Sequence, residues 1–142
     1  MNDQVPAFIL ARSGRMRDGL LALLSAIPQI GTIQQMECGL MELKSMPDHN
    51  QALVLLDANL IDQELWTYMK QVKSRNSGQE FKYIVLADNT FQQRMARAAG
   101  ADGVLLAGFP AAQFFTTIEH LFDQTEAQPD KGGKRNGTTA TR

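Results

Sequence analysis

Short apolar runs alternate with amphipathic stretches along the first 122 residues of the chain. A short, uninterrupted apolar run is typical of a strand covered on both faces, and apolar residues three or four positions apart are typical of a helix packed on one side. Strands that alternate with helices predict a parallel sheet in an α/β domain. The predicted strands are Ala7–Ala11, Thr32–Met36, Ala52–Leu56, Tyr83–Ala87 and Val104–Leu106.

One helix is predicted after each strand. The first opens at Ser13 and Gly14, with Ser13 as its N-cap, and carries its last apolar residue at Ile27. The other predicted helices are Gly39–Met46, Gln63–Ser74, Phe91–Ala99 and Pro110–Phe122. Five such units predict a doubly wound sheet, which places its binding sites in the loops at the carboxyl ends of the strands.

Composition excludes several classes of protein. The chain has 142 residues, 44% of them hydrophobic, which suits one domain, and its net charge of -1 offers no general attraction to nucleic acid or anionic membrane. A single cysteine excludes an internal disulfide framework, and no apolar run approaches the roughly 20 residues of a spanning helix. We therefore expect a cytoplasmic protein that binds neither nucleic acid nor membrane.

The last twenty residues differ from the rest of the chain. Residues 123–142 carry only Ala127 and Ala140 as apolar residues and are rich in Gly, Thr, Gln, Lys and Asp. Such a segment cannot contribute to a core. We expect a domain over residues 1–122 and a disordered polar tail over residues 123–142.

Three segments carry a resemblance to a known family. They are Val54–Leu60, with Asp57 directly after the apolar run, Ala99–Leu106, which reads Ala-Gly-Ala-Asp-Gly before the last strand, and Gly108–Pro110. Together they resemble the receiver domain of two-component response regulators, over roughly Ala7 to Phe122. The resemblance implies a flavodoxin-like strand order of 2-1-3-4-5 and five helices. It also implies that Asp57 matches the aspartate that accepts a phosphoryl group from a histidine kinase.

The positions that assist this aspartate in the family are replaced. Receivers bind Mg²⁺ through an acidic pair after the first strand, and they use a hydroxyl, a lysine and a switch aromatic elsewhere. By the resemblance, the acidic pair matches Ala11 and Arg12, the hydroxyl matches Ala87, the lysine matches Ala107 and the aromatic matches Val104. Since Mg²⁺ requires oxygen ligands, we expect weak or absent Mg²⁺ binding and no other cofactor.

Arg12 suggests what the site does instead. In the implied fold Arg12 leaves the first strand beside the third, where its guanidinium can reach the carboxylate of Asp57. The favoured interpretation is a module of a phosphorelay that works by protein–protein interaction without phosphorylation. Two alternatives remain at this point: Arg12 points into solvent, or the domain is an atypical receiver that is phosphorylated on Asp57.

The basic loop from Arg12 to Arg17 provides a further alternative. It lies at the start of a helix, where free backbone N–H groups favour anions, so it could bind a phosphate-bearing ligand. No nucleophile paired with a base, no metal-ligand spacing and no Gly-rich phosphate loop is present, so we do not expect an enzyme.

Receivers meet their partners through the fourth and fifth helices. Here the partner would be a histidine kinase, an output protein or a second copy of the chain. The residues predicted for this surface are Phe91, Arg94, Met95, Phe109 and Phe114.

Overall fold

The computed structural model describes residues 4–37, 39–44, 51–74 and 80–127. The chain divides into two compact units, Met1–Phe109 and Pro110–Arg142. Among the described residues, the strands all belong to the first unit, and the helix Ala111–Ala127 belongs to the second.

Within the described residues, five strands alternate with five helices. The strands are β1 (Val5–Leu10), β2 (Ile30–Gln35), β3 (Gln51–Asp57), β4 (Glu80–Ala87) and β5 (Gly103–Leu106). The helices are α1 (Arg15–Ser25), α2 (Gly39–Lys44), α3 (Gln63–Ser74), α4 (Thr90–Ala98) and α5 (Ala111–Ala127), and a short 3-10 helix, Ala58–Leu60, follows β3.

All five strands lie in one parallel sheet with the order β2-β1-β3-β4-β5. This confirms the flavodoxin-like α/β fold and its strand order. The central strand β3 is buried from Ala52 to Asp57, because other strands flank it on both sides and side chains cover both of its faces.

One face of the sheet carries α2, α3 and α4. Alternate residues of the strands pack there with Leu43 of α2, with Trp66 and Met69 of α3 and with Ala96 of α4. The crossover from β1 to β2 runs in the opposite direction to the later crossovers in the first unit. Because such connections are right-handed, α1 lies on the other face, where its Leu20 and Leu24 are buried.

Most element starts differ from the sequence prediction by one to three residues, and the starts of α1 and β2 have clear causes. Helix α1 begins at Arg15, and its N-cap is Gly14 rather than Ser13, because the chain turns there through a φ of 123° that favours glycine. Strand β2 begins at Ile30, two residues early, because Ile30 pairs with Val5 and is buried.

Helix α5 continues past the predicted domain end at Phe122. Residues 123–127 include Gln124, Glu126 and Ala127, which favour helix, and no helix-breaking residue occurs before Pro129. Residues 123–127 of the segment predicted as a tail therefore belong to α5. The rest of the predicted tail, 128–142, lies outside the described residues.

Over the described part of the chain, no helix combines the length and the apolar character that crossing a membrane requires.

Candidate functional site

The carboxyl edge of the sheet brings three charged residues from separate strands to one place. Arg12 follows β1, Asp57 ends β3 and Asp88 follows β4, and these three strands are neighbours in the sheet. The burial of the three residues differs. The side chain of Asp57 is 1% exposed, that of Arg12 is 57% exposed, and Asp88 is exposed.

Arg12 and Asp57 form an ion pair. Nε of Arg12 donates to Oδ2 of Asp57 at 2.9 Å, so the pairing expected from the sequence is present. The terminal Nη1 and Nη2 have no hydrogen-bond partner among the described residues, and the contact is a single bond rather than a bidentate one. Arg12 thus supplies a positive charge to a buried carboxylate and keeps two donors at the surface.

The other oxygen of Asp57 is held by the turn that follows it. Oδ1 accepts a hydrogen bond from the backbone N of Asn59 at 3.0 Å and another from Nδ2 of Asn59 at 3.2 Å. The first is the contact of an Asx turn, in which an aspartate accepts from the backbone two residues later. Both oxygens of Asp57 are therefore engaged, as a buried carboxylate requires.

Asn59 connects Asp57 to the β4–α4 loop. Its Nδ2 donates to Oδ2 of Asp88 at 2.7 Å, and its Oδ1 accepts from Nε2 of Gln92 at 2.9 Å. The backbone N of Asp88 in turn donates to Oε1 of Gln92 at 2.7 Å. These contacts form one continuous set, which we call the edge network. Its members are Arg12, Asp57, Asn59, Asp88 and Gln92.

Sequence reasoning did not find the bridging roles of Asn59 and Gln92. The Asx-turn spacing of Asp57 and Asn59 is a local signal that could have indicated the first contact. No local signal links Asn59 to Gln92, because they are 33 positions apart and meet only through strand pairing.

The residues at this edge do not fit a Mg²⁺ site of the kind that the resemblance implies. Ala11 is buried and has no side-chain oxygen, and the guanidinium of Arg12 would repel a cation at Asp57. Nowhere in the described ranges do three His, Cys, Asp or Glu side chains cluster in an arrangement suited to a metal ion.

Two of the remaining replaced positions, Ala87 and Ala107, also lie near this edge, and the third, Val104, lies within β5. Ala87 ends β4 and is buried, and its carbonyl oxygen accepts from the backbone N of Ala107 at 2.8 Å. Neither alanine side chain can donate or accept a hydrogen bond. Val104 pairs with Val85 across the sheet and packs partly buried against the core, so it serves as an ordinary strand residue.

The basic loop does not assemble into a cluster. Arg12 is held by Asp57, Arg15 is exposed, and Nε of Arg17 is buried without a hydrogen-bond partner. Among the described residues, no hydrogen bond joins these arginines to a common group.

The predicted partner surface is only partly exposed. Phe91 is 63% exposed and Arg94 is exposed, whereas Met95 and Phe109 are half-buried. Phe114 on α5 is 0% exposed, so its assignment to an interaction surface is wrong. Its buried position has a simple cause, because the apolar stripe of α5 follows the helical spacing of Phe114, Ile118 and Leu121.

The fold and the site together define a flavodoxin-like α/β domain in which an arginine forms an ion pair with a buried carboxylate at the carboxyl edge of the sheet. The chain matches no protein-family model, and no curated protein is significantly similar to it.

Proposed function

We propose that the chain is a receiver-like signalling module that binds a protein partner without being phosphorylated. The observation that carries this proposal is the 2.9 Å contact between Nε of Arg12 and Oδ2 of Asp57, which puts a fixed cation beside the aspartate. The resemblance to receivers supplies the context, since it covers this aspartate and most of the domain.

Phosphoryl transfer to a carboxylate requires a free oxygen as nucleophile and a positive charge that stabilises the transferring group. Here Arg12 engages Oδ2 and Asn59 engages Oδ1. Ala87 and Ala107 offer neither the hydroxyl nor the amine that assists the transfer in receivers. The edge network therefore favours one constant state of the site over a switch between two states.

The partner in this proposal is a histidine kinase, an output protein or a second copy of the chain. The exposed ring of Phe91 and the exposed guanidinium of Arg94 on α4 offer an apolar anchor next to a positive charge, a combination enriched at protein interfaces. We also propose a cytoplasmic location, since the single cysteine suits a reducing compartment.

Intact-mass spectrometry after incubation with acetyl phosphate and Mg²⁺ tests the central step. We expect no added phosphoryl mass on the wild-type protein. A mass gain that Asp57→Asn abolishes would overturn the proposal and establish an atypical receiver that is phosphorylated on Asp57.

Arg12→Asp tests the role of the arginine as a built-in cation. The variant restores an acidic residue at the edge and removes the positive charge, so calorimetric titration should detect Mg²⁺ binding that the wild type lacks. Arg15→Asp is the matched control, because it makes the same change of charge at an exposed position in the same loop. Equal Mg²⁺ binding by the two variants would show that Arg12 does not take the place of the metal.

A further inference from the structure

We propose that a groove between α3 and α4 binds a small carboxylic acid with an apolar body. The groove has a volume of about 300 Å³, at the lower end of the range for small-molecule sites. Its apolar lining comes from Trp66 on α3 and from Met95, Ala98 and Ala99 at the end of α4. The small alanines leave room beside the indole, and the flexible methionine side chain can adapt to a ring.

The polar lining of the groove selects the charge of the ligand. It comes from Gln63, Thr67 and Lys70, and Gln63 Nε2 donates to Thr67 Oγ1 at 3.5 Å. No carboxylate lines the groove, and Lys70 makes no salt bridge, within the part of the chain that the structure describes. The ammonium group of Lys70 is thus a free cation one helical turn from the indole, which suits an anion attached to an apolar group.

The length of the groove favours a small molecule over a partner helix. Its lining on α3 runs from Gln63 to Lys70, about 10 Å at 1.5 Å per residue. On the same face, Asp62 lies one turn before Trp66 and Lys73 one turn after Lys70, and both are charged, so the apolar strip does not continue along the helix. A docking helix needs apolar anchors along about two turns, whereas the apolar lining on α3 is Trp66 alone, which suits one aromatic ring with a short acidic chain.

A second groove on the other side of α3 provides an internal comparison. It has a volume of about 270 Å³ and includes both Lys44 and Glu64. Nζ of Lys44 lies 5.8 Å from the centroid of the Tyr68 ring, a cation–π distance. With its lysine already engaged and a carboxylate in its lining, this groove should not select an acid.

Trp66 is the single tryptophan of the chain, so its fluorescence reports directly on the first groove. The probes are 4-phenylbutyrate and its neutral analogue 4-phenylbutan-1-ol. We expect a saturable change with the acid at a Kd on the order of 1 mM, as the size of the probe allows, and about threefold weaker binding of the alcohol.

Three variants complete the test. Lys70→Gln should weaken binding of the acid about threefold and make it equal to that of the alcohol. Ala98→Leu should abolish the saturable change by filling the groove, and Lys44→Gln should leave the Kd unchanged. The proposal is overturned if the wild type shows no saturable change, if the alcohol binds as tightly as the acid, or if Lys70→Gln and Lys44→Gln behave alike.

Discussion

Two ion pairs lie near opposite edges of the same sheet, and they differ in construction although each has an N–O distance of 2.9 Å. At the carboxyl edge, Asp57 is 1% exposed while Arg12 is 57% exposed. Towards the amino edge, Lys73 and Asp102 are 26% and 17% exposed. The first pair has a buried acid and an open base, whereas the second is partly buried on both sides.

In the second pair, Lys73–Asp102, both side chains also make hydrogen bonds to the backbone. Nζ of Lys73 donates to both oxygens of Asp102 and to the carbonyl oxygen of Phe81, and Oδ2 of Asp102 accepts from the backbone N of Tyr83. The pair therefore ties the end of α3 to β4 and to the start of β5. This structural role explains the presence of Asp102 in the Ala-Gly-Ala-Asp-Gly segment.

The difference between the two pairs distinguishes a structural ion pair from a candidate functional one. All three protons of the Lys73 ammonium group can be used by the three acceptors around it, whereas Arg12 keeps two terminal nitrogens without partners among the described residues. Disruption of the second pair should mainly reduce stability. Disruption of the first pair should mainly change what the site can bind.

The largest expected effect is that of Asp102→Ala. The change removes the acceptor for the backbone N of Tyr83 and leaves Lys73 without its carboxylate, so we expect a loss of about 3 kcal/mol in the free energy of unfolding. Urea denaturation measures this, with Asp18→Ala as the exposed control. A loss as small as that of the control would show that the Lys73–Asp102 pair does not stabilise the fold.

Gly100→Ala tests the same Lys73–Asp102 pair through the side chain of Lys73. Gly100 has a φ of 87°, and an added Cβ would lie 3.1 Å from Cβ and from Cγ of Lys73. We expect a loss of about 2 kcal/mol. Gly108→Ala is the matched control, since Gly108 has the same φ of 87° with nothing within 4 Å of an added Cβ, and it should cost about 1 kcal/mol. Equal losses would show that only the backbone angle matters.

Arg12→Met should cost about 1 to 2 kcal/mol, because Oδ2 of the buried Asp57 loses its donor while Oδ1 keeps Asn59. Arg15→Met in the same loop should cost almost nothing. Thermal and urea unfolding of both variants, and of Arg12→Met combined with Asp57→Asn, form a double-mutant cycle. If the double variant were no more stable than Arg12→Met alone, the buried charge would not be the cause of the loss.

Asp57→Asn should have the smallest effect, a change in stability of less than about 1 kcal/mol in either direction. A neutral amide keeps an oxygen for the backbone N of Asn59 and no longer requires a cation, and the exposed Arg12 can turn to water. The same change at Asp102 should cost about 2 kcal/mol, because Lys73 then loses its counterion at a partly buried position. A reversal of this order would break the distinction between the two pairs.

Much of the fold follows from local pattern. Short apolar runs separated by amphipathic stretches predicted all five strands and all five helices, with α3 at its observed bounds Gln63–Ser74. The sequence pattern predicted the ends of helices and strands less accurately. The N-cap of α1 lies at Gly14 and α5 continues to Ala127, because these ends depend on a single backbone angle and on where helix-favouring residues stop.

The candidate site was predicted only in part. Asp57 directly after one apolar run and Arg12 directly after another indicated the ion pair once neighbouring strands were assumed. The burial of Phe114 was missed, because helical spacing on α5 allowed a stripe through Phe115 as well as the observed one.

By itself, the sequence determined the βα alternation and the identity of the charged residues at the strand ends, since both are properties of neighbouring positions. Only the tertiary structure decided which of those residues meet. The pairs Asn59–Gln92, Asn59–Asp88 and Lys73–Asp102 join residues 29 to 33 positions apart. They come together because parallel strands bring distant segments to a common edge, and the order and register of those strands are set by packing of the whole sheet.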